Sequence, residues 1–320
     1  MNLLILSCGT RNILVSYFKE SGFDKVVVTD CSKLAPALYM ADSYHIVPRM
    51  DSPQYLYEIL RICDEEDIQA VLPLQEDELH FLSTQREIFA QKDILPIVSN
   101  VEAIDICRDK MNFYYHMKKN NLPILQSYDL IDDFETRLSK KEESFPVFVK
   151  PVRGAGSVGT MKVTNMDLLN ALIQTSEEPL MIQRFAKGTE YGADIYVDIL
   201  SGEVTDIFVK EKIRMRAGET EKSVSIKNNK LFELIIKTIK TLDLSGPIDM
   251  DIFEIDGEFY ISEINPRFGG GYPHAYACGV NFPKKILSNV SGQITKDHIG
   301  QYEEGVYAMK YSDIIIKESL

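Results

Sequence analysis

A membrane span, a cysteine framework and an excess of positive charge are all missing from this sequence of 320 residues. No apolar run approaches the roughly 20 residues that a membrane-spanning helix needs. The opening stretch MNLLILSCGTRN places apolar residues before a cysteine, as a lipoprotein signal would. Only Leu3 to Leu6 run continuously apolar and no basic segment precedes them, so a buried first strand is expected and export is not. Five cysteines (Cys8, Cys31, Cys63, Cys107 and Cys278) are odd in number, widely spread and free of any CxxC pair. That speaks against a disulfide scaffold or a zinc site and fits a reducing cytoplasm. A formal charge of -13 argues against a surface built to neutralise nucleic-acid phosphates or to coat an anionic membrane. Any anion the protein handles must sit in a local positive pocket.

What is present is ordinary globular material, long enough for two or three packed modules. Residues 1–98 alternate short apolar runs, LLIL (3–6), KVVVTD (25–30), SYHIVP (43–48), AVLPL (70–74) and ILPIV (94–98), with amphipathic stretches such as SPQYLYEILRICDEED. Strands alternating with helices predict a parallel α/β sheet. The first turn, SCGTRN, has one glycine where a dinucleotide fingerprint needs three, so Rossmann-type cofactor binding is not expected. Residues 99–122 read as a helical connection ended by the turn chemistry of NNLPI. A smaller α/β unit is expected over 123–190 and a strand-rich unit over 191–320.

Three stretches carry candidate chemistry. FVKPVRGAGSVG (148–159) puts Lys150 at the end of an apolar strand, before a loop holding Gly154, Ala155, Gly156, Ser157 and Gly159. Glycines let backbone N–H groups approach phosphate oxygens, and the lysine neutralises their charge. The spacing is not that of a P-loop, so this is a different phosphate cradle. In EPLMIQRFAKGTEYGAD (178–194) a strand end with Gln183 can offer backbone groups to a purine edge while Glu190 takes ribose hydroxyls. VKEKIRMRAGETEKS (209–223) alternates Lys210, Lys212, Arg214 and Arg216, making one strand face cationic.

GPIDMDIFEIDGEFYISEINPRF (246–268) predicts a hairpin turning at Asp256-Gly257. Side chains alternate faces along a strand, so loop length decides what the hairpin gathers. A strict two-residue loop puts Asp251 and Glu263 on opposite faces. A three-residue loop with a bulge at Gly257 pairs Glu254 with Glu258 and sets Asp249 opposite Glu263, with Asp251 diagonal and Asn265 on the same face. Acids gathered this way repel unless a hard divalent cation sits among them. Magnesium suits, because it takes few protein ligands and shares substrate phosphates. Arg267, followed by three glycines, is suited to gripping a carboxylate or an acyl phosphate.

Taken in order, RDKMNFYYHMKKN, FVKPVRGAGSVG, QRFAKGTE and DMDIFEIDGEFYISEINPR resemble the ATP-grasp superfamily, in particular its biotin carboxylase and carbamoyl phosphate synthetase large-subunit type. The resemblance implies an α/β ATP-grasp fold: a pre-ATP-grasp parallel α/β domain, a small α/β lid subdomain and an antiparallel α+β C-terminal subdomain. It implies ATP and Mg2+, with Mn2+ an alternative, as cofactors. By resemblance, Lys110 and Lys150 grip the phosphates under a flap from Gly154 to Gly159. Gln183, Arg184, Phe185 and Ala186 match the adenine hinge, and Glu190 the ribose ligand. Lys210 is expected on the nucleotide. Glu263 and Asn265 match the magnesium pair, and Asp251 the preceding metal ligand, with Asp249 its neighbour and rival. Arg267 and Arg216 are expected at the carboxylate or its phosphorylated intermediate.

One such unit is present, and no biotin-carrier or glutaminase segment is visible, so a stand-alone ligase is the expectation. The implied activity is ADP-forming ligation of a small-molecule carboxylate to an amine through an acyl phosphate. Alternatives are an enzyme that releases the carbamoyl or acyl phosphate itself, and an inactive nucleotide-binding regulator. No nucleic-acid or membrane partner is expected; a homodimer is the general expectation for soluble oligomers.

Overall fold

The computed structural model describes residues 1–154 and 158–318. Its first sheet is built from β1 (Asn2–Ile5), β2 (Lys25–Asp30), β3 (Ser43–Ile46), β4 (Ile68–Leu72) and β5 (Leu95–Pro96), in the order β3-β2-β1-β4-β5. All its pairings are parallel, as the alternation of strands and helices predicts. Helices α1 (Asn12–Glu20), α2 (Tyr55–Glu65), α3 (Glu76–Thr84) and α4 (Arg86–Ala90) connect these strands. Period-two alternation sends Leu3, Ile5, Val26 and Val28 to a core shared with Leu14 and Phe18 of α1. Leu4, Leu6, Val27 and Val71 go to a second core with Ile59 and Ile62 of α2. Both faces being covered is why β1 and β2 read as unbroken apolar runs.

Within the helical connection read over 99–122 stand two helices, α5 (Val101–Arg108) and α6 (Lys110–Lys119). Asp109 separates them in an extended conformation (φ -109°, ψ 104°), and its carboxylate caps α6 by accepting from the Asn112 N–H. Such a cap is worth about 1 kcal/mol and makes the break stable. Lys110 is thereby placed on the first turn of α6, where its N–H donates to Val152 O.

A four-stranded sheet comes next in the order β6-β9-β7-β8, from β6 (Ser127–Tyr128), β7 (Val147–Pro151), β8 (Met161–Val163) and β9 (Leu180–Arg184). Val147, Val149 and Ile182 pack with Phe134 of α7 (Ile131–Ser139) and Leu169 of α8 (Met166–Thr175). The same alternation leaves Phe148, Lys150 and Gln183 on the opposite face, with Gln183 directly across from Phe148.

The largest sheet is antiparallel, in the order β14-β13-β10-β11-β12-β15. Its strands are β10 (Thr189–Val197), β11 (Val204–Arg216), β12 (Glu219–Ile226), β13 (Gly246–Ile255), β14 (Glu258–Asn265) and β15 (Tyr307–Met309). One face carries Ala193, Ile195, Ile207, Val209, Met250, Ile252, Ile261 and Ile264 into a core with Leu231 and Ile235 of α9 (Asn229–Ile239). Helices α10 (Tyr272–Ala277) and α11 (Phe282–Val290) lie between β14 and β15, and among the described residues no helix is long and apolar enough to cross a membrane.

The β13–β14 hairpin corrects the loop reading. The turn has two residues, Asp256 (φ 53°) and Gly257 (φ 82°), and Ile255 pairs with Glu258. The extra residue sits in the strand instead: the register shifts between Ile252–Ile261 and Asp251–Glu263, leaving Ser262 as a bulge. Two positive φ angles suit the right-handed twist of a tight hairpin, and the bulge flips the face parity of residues 263–265. Asp251 therefore lies directly opposite Glu263 and Asp249 opposite Asn265, with none of the pairs diagonal.

Candidate active site

The cleft-facing side of the large sheet is polar because every second residue on it is. Asp249 and Asp251 of β13 share that face with Glu190 and Asp194 of β10, Lys210 and Lys212 of β11, and Glu263 and Asn265 of β14, as the registers require. Facing them is the Phe148–Lys150–Gln183 side of the small sheet. Between the two walls lies a cavity of about 660 Å³, closed at one end by the loops after β1 and β4. Nine Lys and Arg residues against seven Asp and Glu residues line it, a local positive excess in a chain of charge -13.

The buried charges divide into satisfied and unsatisfied. Lys210 is 1% exposed and donates to Asp194, which is equally buried. Its stem fills the space beside Gly271, where a Cβ would come within 2.7 Å of Lys210 Cε. Lys212 bridges Glu190 (2.8 Å) and Asp251 (2.6 Å). Burial pulls the Lys212 pKa down, but Asp251 and Glu190 more than offset it, so it rises above the ordinary lysine value and the ammonium stays charged. Asp249 lies 3.6 Å from Arg267, and burial and Asp251 push its pKa up to about 6 against the pull of that arginine. Gly269 is needed there, since a Cβ would meet Asp249 Oδ1 at 2.4 Å.

Lys150 differs. It is 9% exposed, and among the described residues its ammonium makes no hydrogen bond or ion pair. Burial lowers its pKa, Glu263 and Asp251 work to raise it, and Lys110 lowers it further. Glu263 and Asn265, across the cleft, likewise spend no side-chain atom on another described protein group. A buried cation and an opposed carboxylate–amide pair, all unpartnered and in one cavity, form a place where charges from a ligand are missing. Among the described residues, Lys110 Nζ donates to Gly154 O alone, 2.6 Å away.

Comparison with known proteins places this arrangement. Residues 3–97 match the PylC-like N-terminal domain, and residues 107–271, just over half of the chain, match the ATP-grasp domain. The chain belongs to the ATP-grasp family. A D-alanine–D-alanine ligase of Acetivibrio thermocellus is 26% identical over 336 aligned residues, which cover 94% of this chain and 82% of the relative. The carbamoyl phosphate synthase large chain of Clostridium perfringens is 23% identical over 92% of this chain, which spans only 28% of that relative's length. A biotin carboxylase from Campylobacter jejuni, solved as a beta-gamma-ATP complex, superposes with a TM-score of 0.76 over 96% of this chain and 74% of its own, at 17% identity. That likeness shows the fold alone.

In this ATP-grasp chain, Lys110, Lys150, Gly154, Gln183, Arg184, Ala186, Glu190, Lys210, Asp251, Glu263, Asn265 and Arg267 all line the one cavity. Ala155, Gly156 and Ser157 of the expected flap lie outside the described residues. Phe185 does not line the cavity; its ring lies 5.1 Å from that of Phe148 and under Lys162. The Arg184 side chain is held by Glu143, leaving its backbone as the part toward the cleft. Arg216 is not brought to the site. It lies near the tip of the β11–β12 hairpin, 75% exposed and paired with Glu221, because irregularities between Lys212 and Met215 break the strand's even alternation. Both lysines of the alternation line the cavity, Lys212 between Glu190 and Asp251 and Lys210 paired with Asp194.

Among the described residues no group of three or more His, Cys, Asp or Glu side chains is placed to hold a metal. The donors available are two carboxylates and an amide, a set that suits magnesium when phosphate oxygens complete its shell. Arg11, Glu76 and Glu219 line the cleft and were not visible as site residues in the sequence. Each comes from a separate element, after β1, at the start of α3 and at the start of β12. The only local signal was the tight turn at Gly9 (φ 48°) that aims the chain after β1.

Proposed function

We propose that this ATP-grasp protein is a cytoplasmic, ADP-forming ligase that joins a small-molecule carboxylate to an amine through an acyl phosphate. The observation that carries the reading is the unpartnered Lys150 ammonium opposite unpartnered Glu263 and Asn265 in one cavity. Lys110 and Lys150 hold the phosphate oxygens of ATP, the backbone of Gln183 to Ala186 meets the adenine edge, and Glu190 takes the ribose. Lys212, between Glu190 and Asp251, serves the phosphates in place of Lys210. Asp251, Glu263 and Asn265 would hold Mg2+, which when bound neutralises charge on the transferring phosphoryl group.

A carboxylate is a poor electrophile. One of its oxygens takes the γ-phosphoryl group and ADP departs; the amine nitrogen then attacks the acyl carbon, phosphate leaves and the amide forms. Arg267 orients the carboxylate and its acyl phosphate. No protein nucleophile is needed, so catalysis rests on positioning and on charge stabilisation.

ADP release with ATP and Mg2+ over a panel of acids paired with amines tests this. Glu263→Gln is expected to lower any turnover by at least about 100-fold. Absence of ADP release across the panel, together with ATP affinity by calorimetry, would replace the ligase with a nucleotide-binding regulator. Accumulation of an acyl phosphate without amide would make that compound the product.

A further inference from the structure

Arg11 stands at the end of the cleft away from the small sheet, on the loop between β1 and α1. It is mostly withdrawn from water, and burial lowers its pKa. Among the described residues its guanidinium, with five N–H donors, makes no hydrogen bond and no ion pair. Glu219 and Asp249 are close enough to favour its charge, and Arg267 close enough to oppose it.

The contrast with Arg267 is informative. That guanidinium has fixed company: it donates to Phe268 O at 3.0 Å and lies 3.6 Å from Asp249 and 3.8 Å from Glu76. Arg11 instead lies over Gly270 beside the Glu219 carboxylate, without a bond to it. A Cβ on Gly270 would lie 3.2 Å from Arg11 Nη1 and 3.1 Å from Glu219 Oε1, so a side chain there would fill the gap that glycine leaves. The other oxygen of Glu219 is taken by Lys310, 2.6 Å away. A guanidinium mostly withdrawn from water that two carboxylates favour but none bonds among the described residues is costly to hold, and a planar fork of donors matches a carboxylate. Glu219, Glu76 and Asp249 nearby disfavour a dianion such as phosphate, so a singly charged group fits better.

We propose that Arg11 grips a spectator carboxylate, one that a substrate carries and the reaction does not activate. This rests on the ligase reading, in which Arg267 serves the carboxylate that is phosphorylated. The spectator group belongs either to the amine substrate, as in an α-amino acid, or to the acid substrate as a second carboxylate. In both cases at least one substrate bears a carboxylate beyond the reacting one.

The test compares matched pairs. One arm offers amino acids against their carboxamides as amine substrates; the other offers dicarboxylic acids against monocarboxylic acids of the same chain length. ADP release is read with wild type, Arg11→Gln and Arg11→Lys. In one arm, wild type is expected to show a KM about 10- to 100-fold lower for the member with the extra carboxylate. Arg11→Gln removes that preference by raising this KM alone, with kcat and the uncharged member within twofold, and Arg11→Lys restores part of it. The arm that responds identifies which substrate carries the group. No preference in either arm, or equal loss for both members of a pair, overturns the proposal.

Calorimetric binding of the same pairs in the presence of MgADP keeps the two readings apart. Silence in the ADP assay defeats the ligase reading. Charge-selective binding that disappears in Arg11→Gln would still support the role of Arg11, and binding without selectivity would refute it.

Discussion

Lys150 and Lys210 line the same cleft from different sheets and are both buried. The large sheet supplies Lys210 with Asp194, directly bonded and as deeply buried, and with a glycine gap beside its stem. The small sheet gives Lys150 no partner among its described neighbours; the nearest opposing charges, Glu263 and Asp251, stand on the far wall. A buried ion with a local counter-ion is part of the packing, whereas one whose counter-charge lies across a cavity keeps a position for something that bridges the gap. The large sheet thus acts as a rigid floor and the small sheet as the wall that presents an unsatisfied charge.

The comparison breaks most sharply at Lys210. Lys210→Met strands a buried carboxylate and is expected to cost about 3–5 kcal/mol in urea denaturation, while Lys210→Met with Asp194→Leu recovers most of that loss. If the single variant were as stable as wild type, Asp194 and Lys210 would not be a structural pair.

Lys150→Met is expected to do the reverse. Its melting temperature stays level or rises, because a desolvated ammonium is gone, while ADP release falls by about 100- to 1,000-fold. The stabilisation by MgADP, about 2.7 kcal/mol at 100 times its Kd in wild type, shrinks correspondingly. A Lys150→Met variant that melts several degrees lower with nucleotide protection intact would assign this lysine to packing.

Glu78 sharpens the contrast with a third buried charge, on α3 in the first module. It is 1% exposed and has neutral partners, Ser7 Oγ and Tyr55 OH, each at 2.5 Å. Burial raises its pKa from 4.5 to about 6 despite those bonds. Because the folded pKa lies above the unfolded one, the native state binds the extra proton, so stability declines as pH rises from about 4.5 to about 6 and the loss is complete above that window. Glu78→Gln fixes the neutral form and is expected to flatten the pH dependence of stability there by no more than about 2 kcal/mol. An unchanged slope in chemical denaturation across that range would mean Glu78 is not buried as a carboxyl group.

Much of the layout was legible because it depends on local periodicity. KVVVTD is the whole of β2, and the position of the turn at Asp256-Gly257 is set by residue chemistry alone. The order of the four motifs was enough to indicate the family. What stayed hidden depends on geometry that one segment cannot encode. The bulge at Ser262 has no strong local signal, so the loop was given a residue that belongs to the strand. That Lys210 is bonded within the cleft is decided by Asp194 on the neighbouring strand, and Arg216 is carried away by irregular pairing farther along β11. Arg11 enters the site only because the first module packs against the glycine run after Arg267.

The bulge at Ser262 has a further consequence for how tolerant this hairpin is of insertions and deletions. Removing that one residue while keeping the Asp256-Gly257 turn would exchange inside for outside along the end of β14. Glu263 and Asn265 would be driven into hydrocarbon, and Ile264 would be left in the solvent-filled crevice. A change usually counted as minor would then cost the protein its chemistry and its core together.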